Sequence, residues 1–131
     1  MAEYNYNFQE KTYSNSTTPE DIEDNWIWAI IGYMGPFSFL SLFINKSSLF
    51  SSYHARQGVG LFVLEIIWLI LWTISNFFIP TGIKYLFLIG TTFFVAGQLW
   101  LFSLFIIGVI NSYKGQMKAL PVIGKHFEIE Q

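Results

Sequence analysis

The feature that most constrains this chain is an apolar stretch at residues 58–79, in which Glu65 is the only charged residue. About 20 apolar residues, at 1.5 Å per residue, cross the roughly 30 Å hydrocarbon layer of a bilayer. Two uncharged apolar stretches flank this one. The pattern predicts an all-α, polytopic integral membrane protein with three transmembrane helices, at about 26–44, 57–79 and 85–110.

Composition supports one membrane domain without a separate soluble domain. Of the 131 residues, 53% are hydrophobic and only 12% are charged, about half the charged fraction that is usual in soluble domains. Residues 1–18 lack an apolar period and are rich in Asn, Tyr and Ser, and six of the nine acids lie in the first 24 residues, so we expect a flexible acidic N-terminal tail. Residues 19–131 then form the three-helix domain, which ends in a short basic C-terminal tail. The chain contains no cysteine, which excludes disulfides and thiolate metal sites.

Local signals predict where the first helix begins and bends. Thr17 or Thr18 can cap a helix, and Pro19 suits its first position. Gly35 and Pro36 lie inside the first apolar stretch, where proline removes a backbone hydrogen bond, so we expect a helix kink there.

The basic residues predict the orientation of a three-span chain. Lys11 and Lys84 would lie on one side of the membrane. The other side would carry Lys46, Arg56, Lys114, Lys118 and Lys125. The positive-inside rule then places the N-terminus outside and the C-terminus in the cytoplasm of a multi-pass protein, which we expect in a bacterial plasma membrane.

Glu65 is the first candidate for a functional residue, because a carboxylate in the membrane interior is costly unless it is neutralised, paired or hydrated. Measured from the predicted helix ends, Glu65, Gln98 and Tyr33 fall at similar depth, so we expect an intramembrane polar cluster. Either the acid only packs against Gln98, or it takes part in transport or proton relay. Helical spacing also predicts that one stripe of the second span faces protein: Gln57, Leu61, Glu65, Trp68, Trp72 and Asn76.

His54, Arg56 and Gln57 open the second span, where we expect them to contact the membrane interface, lipid or a partner. Anchoring is the simpler alternative for the basic side chain. The two histidines are far apart in sequence and belong to no spaced ligand set, so we expect no metal and no cofactor. No catalytic serine or paired-carboxylate motif and no basic, aromatic nucleic-acid surface is visible, which argues against an enzyme and against nucleic-acid binding.

Three motifs occur in order along most of residues 26–125: Gly35-Pro36 in the first stretch, His-Ala-Arg-Gln at 54–57, and Lys-Gly followed by Leu-Pro and Gly at 114–124. In these motifs the chain resembles the Tic-Twenty-like membrane proteins, which are bacterial relatives of a chloroplast inner-envelope import subunit. It departs from them at Ala119, where that family often has proline. The resemblance implies an all-helical membrane component of a kind associated with protein translocation in plastids, whereas the bacterial members of the family mostly have no assigned function.

These observations give two functional hypotheses. The first is a non-enzymatic membrane subunit that forms homo-oligomers or binds other membrane proteins, and that assists protein translocation or the assembly of membrane complexes. The second is an oligomeric transporter or channel subunit that uses Glu65. Both place the chain in a lipid bilayer.

Overall fold

The computed structural model describes residues 17–78 and 83–126, and all regular secondary structure in that part of the chain is helical. The four α-helices are α1 (Pro19–Ile31), α2 (Phe37–Ile44), α3 (Leu49–Phe78) and α4 (Lys84–Tyr113). The C-terminal segment, residues 114–126, follows α4 and contains a 3₁₀ turn, Gly124–His126. Residues 1–16 of the predicted flexible tail lie outside the described part of the chain, as do residues 79–82 and 127–131.

The start of α1 confirms the predicted capping signal. The Thr18 hydroxyl accepts a hydrogen bond from the backbone N–H of Asp21 at 3.2 Å, and Pro19 occupies the first helical position. The cap satisfies one of the free N–H groups of the first turn, and the acidic Glu20 and Asp21 lie at the positive end of the helix dipole. The cap therefore determines the residue at which α1 begins.

The prediction of one transmembrane helix at 26–44 is wrong, because the chain breaks at residues 32–36 and turns back. Gly35 has φ +56°, a left-handed conformation that side chains disfavour, and the next residue is proline. The Ser41 hydroxyl donates to the carbonyl of Trp28 at 2.7 Å, which brings α2 alongside α1. The predicted kink is thus a reversal, and α1 and α2 form a helical hairpin.

Both ends of the hairpin lie at the same end of the molecule. The Asn45 side-chain amide donates to Asn25 Oδ1 at 2.6 Å, so the end of α2 lies beside the middle of α1. The Thr17 hydroxyl lies 3.3 Å from Met117 Sδ, which brings the first described residue next to the C-terminal segment. This arrangement does not agree with the predicted three spans, which would separate the two ends of the chain.

Helices α3 and α4 form a long antiparallel pair. Each has 30 residues, which gives a length of about 45 Å at 1.5 Å per residue. Both are long and apolar enough to cross a membrane, and the most apolar window of each is mostly exposed, unlike the core helix of a soluble protein. Two of the three predicted spans therefore have the required helices, although both helices extend beyond the predicted 57–79 and 85–110.

The hairpin packs against α3 through glycines. A Cβ atom added to Gly32 would lie 2.9 Å from Ala55 Cα, and one added to Gly58 would clash with the Gly32 carbonyl. Main chains approach this closely only where side chains are small. The contact fixes the hairpin along the first half of α3, and its turn reaches the middle of that helix, where Gly35 lies next to Phe62.

The interior of the molecule is concentrated at the hairpin end. One buried cluster contains residues of the hairpin turn, both long helices and the C-terminal segment: Tyr33, Leu61, Leu101, Leu104, Leu120 and Ile123. A second cluster contains Ala29, Phe50, Tyr53 and Met117. Beyond the hairpin turn, by contrast, only α3 and α4 remain in the described part of the chain, and most of their apolar side chains are exposed.

Candidate functional site

Glu65 and Gln98 form a polar pair between the two long helices. The Gln98 side-chain amide donates to Glu65 Oε1 at 2.9 Å. Glu65 lies on α3 and Gln98 on α4, so the antiparallel packing of these helices is what brings them together. Both side chains are partly exposed. This contact agrees with the polar cluster that was predicted from their similar depth.

The pair lies in a cleft of about 330 Å³ beside the hairpin turn. Apart from the pair itself the lining is almost entirely aromatic and apolar, and it comes from the turn, α2, α3 and α4: Tyr33, Met34, Gly35, Phe37, Leu61, Phe62, Leu101, Phe102 and Phe105. The cleft thus presents one carboxyl group and one amide in apolar surroundings, which is the usual composition of a small binding site.

Tyr33 lines the same cleft but belongs to a different hydrogen bond. Its hydroxyl and His54 Nδ1 share a bond of 3.0 Å, and both side chains are buried. Gly108 of α4 makes room for the Tyr33 ring, since a Cβ atom there would clash with it. The predicted cluster of three residues is therefore a pair, Glu65 with Gln98, and a neighbouring aromatic residue that faces the buried histidine.

His54 and Gln57 do not lie at the surface, which corrects the prediction that they contact lipid or a partner. Their side chains are 0% and 1% exposed. The His54 ring packs edge to face against Phe50, with centroids 4.7 Å apart. Gln57 Oε1 accepts a hydrogen bond from the backbone N–H of Leu120 at 2.9 Å. These residues join α3 to the hairpin and to the C-terminal segment, so their hydrogen bonds form inside the protein and not with lipid.

Arg56, between them in sequence, is half-buried, and its predicted contact with lipid or a partner stays a prediction.

Asp21 also contacts α3, which no sequence motif indicates. Its Oδ2 accepts a hydrogen bond from the backbone N–H of Phe50, at 3.1 Å, in the first turn of α3. A carboxylate at a helix N-terminus is favourable for both the free N–H group and the dipole. The capping side chain lies 29 residues earlier in the chain, so only the hairpin fold brings it there.

Within the two described ranges, no three His, Asp or Glu side chains come together as metal ligands. The chemistry available in the cleft is therefore that of one carboxyl group and one amide. Such a pair can accept or donate hydrogen bonds, attract a cation or hold a proton.

No protein-family model matches the chain, and no match is found among curated proteins or solved structures. The resemblance to the Tic-Twenty-like proteins thus rests on the sequence motifs alone and stays a prediction.

Proposed function

We propose that this protein is a non-enzymatic integral membrane subunit that assembles with other membrane proteins and assists protein translocation or complex assembly. The observation that carries the proposal is the exposed apolar surface of α3 and α4. Side chains at Ile70, Phe78 and Leu88 are 51%, 74% and 63% exposed, and many neighbours are similar. Surfaces of this size and composition need lipid or another protein to cover them.

The proposed arrangement in the membrane has two spans and a hairpin that enters from one side. Helices α3 and α4 cross the bilayer, and the hairpin extends to about its middle, because the turn packs near residue 62 of a helix that runs from Leu49 to Phe78. Backbone groups of such a re-entrant turn need protein partners. The Gly35 carbonyl has one, since the Ser38 hydroxyl donates to it at 2.6 Å.

The basic residues support a cytoplasmic location for the hairpin end. Lys84 begins α4 at the opposite end of the helix pair. All the other basic residues of the described ranges lie near the hairpin end: Lys46, Arg56, Lys114, Lys118 and Lys125. With both ends of the described chain on this side, the asymmetry of five to one satisfies the positive-inside rule. We therefore propose two spans instead of three, with the N-terminus on the cytoplasmic side and not outside.

Crosslinking in native membranes, followed by size analysis in mild detergent, tests this function. We expect the chain to resist extraction by alkaline carbonate and to migrate in crosslinked species well above its own 15.2 kDa. A chain that is released by carbonate is not an integral membrane protein. A chain that stays in the membrane as an uncrosslinked monomer is not a subunit of an assembly.

The cleft supports the alternative function, an oligomeric transporter or channel subunit. An ionisable residue in a membrane-crossing helix is a candidate for ion or proton transport, and Glu65 faces a cleft, not the centre of a packed core. The two long helices and the hairpin enclose no pore by themselves, so conduction needs several copies. Liposomes containing the purified protein test it: flux that Glu65→Gln abolishes supports transport, and the absence of flux excludes it.

A further inference from the structure

The Glu65 carboxyl group has capacity for a partner that the described residues do not supply. One oxygen accepts the hydrogen bond from Gln98. Among residues 17–78 and 83–126, no group donates to the other oxygen, and this side chain lines the open cleft. If α3 crosses a bilayer as proposed above, this oxygen lies near the midplane, where a carboxyl oxygen without a hydrogen-bond partner is unfavourable.

Within the described ranges no basic residue lies at the depth of Glu65. Residues 58–78 of α3 and 85–113 of α4 contain neither lysine nor arginine. Arg56 is nine residues from Glu65, which is about 13 Å along the helix, and it lies on the side of the hairpin end. A second copy of the chain in the same orientation has the same distribution. The described residues therefore offer no cation for this carboxyl group, and we look for one in a different molecule.

We propose that the cleft docks a transmembrane helix of a different membrane protein, one that carries a lysine or arginine near the bilayer midplane. This proposal rests on the membrane function proposed above and names the chemistry of the partner. Opposite charges attract strongly in a low-dielectric medium, so a paired lysine or arginine and carboxylate cost less there than two isolated charges.

The shape of the cleft favours a long basic side chain. The carboxyl group is half-buried, whereas the rim residues Met34, Phe37 and Phe102 are 50%, 55% and 56% exposed. A helix that packs against this apolar rim can reach the carboxyl group only with a long side chain. Lysine and arginine have such stems, and they bury them along apolar surface while the charged group stays paired.

A synthetic peptide tests the proposal in liposomes of phosphatidylcholine. The probe is a leucine-rich transmembrane peptide with one central lysine, and the matched control carries leucine at that position. Because the chain has no cysteine, Ser47→Cys in the exposed loop after α2 provides one labelling site for energy transfer. We expect the lysine peptide to bind about tenfold more tightly than the leucine peptide, which corresponds to about 1.4 kcal/mol.

Two variants show whether the cleft itself is responsible. Glu65→Leu should remove the preference for the lysine peptide. The double variant Glu65→Leu with Ile66→Glu keeps a carboxyl group at nearly the same depth but moves it to a side chain that is 41% exposed outside the cleft, and it should not restore the preference.

Equal binding of the two peptides to the unmodified protein would overturn the proposal, as would full restoration by the double variant. Neither result affects the proposed membrane function, which carbonate extraction and native crosslinking test separately.

Discussion

At the scale of single residues, the buried bond between Tyr33 and His54 has the clearest consequence for stability. Tyr33→Phe removes the hydroxyl and leaves His54 Nδ1 without its 3.0 Å partner. An unsatisfied buried group costs about 1 to 3 kcal/mol. We expect a lower unfolding temperature in detergent, measured by the loss of monodisperse protein on heating. Tyr113→Phe is the matched control, because that side chain is 72% exposed, and an equal effect of both changes would contradict the role of the bond.

The sequence predicted some of these residues for sound physical reasons. A helical stripe through Gln57, Glu65 and Asn76 is expected to face protein, and none of its six members is exposed, whereas all the other residues of 66–78 are exposed. The pairing of Glu65 with Gln98 followed from their depths on two straight helices. The predicted depth of Tyr33, by contrast, assumes one continuous helix at 26–44, which the structure does not contain. The hydrogen-bond partner of Tyr33 is His54.

At the scale of the helices, the hairpin is the element that could not be predicted from the sequence. An apolar stretch of suitable length is typical of a span whether the chain crosses or turns back, because hydropathy is the same in both cases. Gly35-Pro36 marked a local break, but a break alone does not determine the direction of the chain after it. The direction comes from tertiary contacts such as Ser41 with Trp28 and Asn45 with Asn25.

The contact between Gly58 and Gly32 is a test of the hairpin as an element. Gly58→Ala places a methyl group against the Gly32 carbonyl, so α1 and α3 must separate. Overpacking of this kind costs about 1 to 3 kcal/mol, although alanine itself favours the helix. We expect a lower unfolding temperature in detergent. Ala96→Val adds more bulk at an exposed position of α4 and should have little effect; comparable losses from both variants would show that the packing at Gly58 is not special.

At the scale of the whole molecule, the fold is asymmetric along its long axis. The hairpin, the C-terminal segment and both long helices meet at one end, where polar side chains bond to the backbone of other elements, as Asp21 does with Phe50 and Gln57 with Leu120, although the Gln57 side-chain nitrogen is buried without a partner among the described residues. At the other end α3 and α4 continue alone with exposed apolar side chains. Stability therefore comes mainly from the hairpin end, whereas the exposed helix pair provides the surface for lipid or protein partners.

This asymmetry leads to a prediction that separates the two-span arrangement from three spans. Both arrangements place Ser47 on the cytoplasmic side and Ile83 outside, so cysteines at those positions serve as controls. They differ at Glu20, which is exposed at the start of α1. With the hairpin, Glu20 lies on the same side as Ser47, because Asn45 contacts Asn25 and Thr17 contacts Met117.

We expect Glu20→Cys to react with a membrane-impermeant maleimide only after the cells are permeabilised, as Ser47→Cys does, while Ile83→Cys reacts in intact cells. Reaction of Glu20→Cys in intact cells would mean that the first apolar stretch crosses the membrane and that the hairpin is not its arrangement in the bilayer.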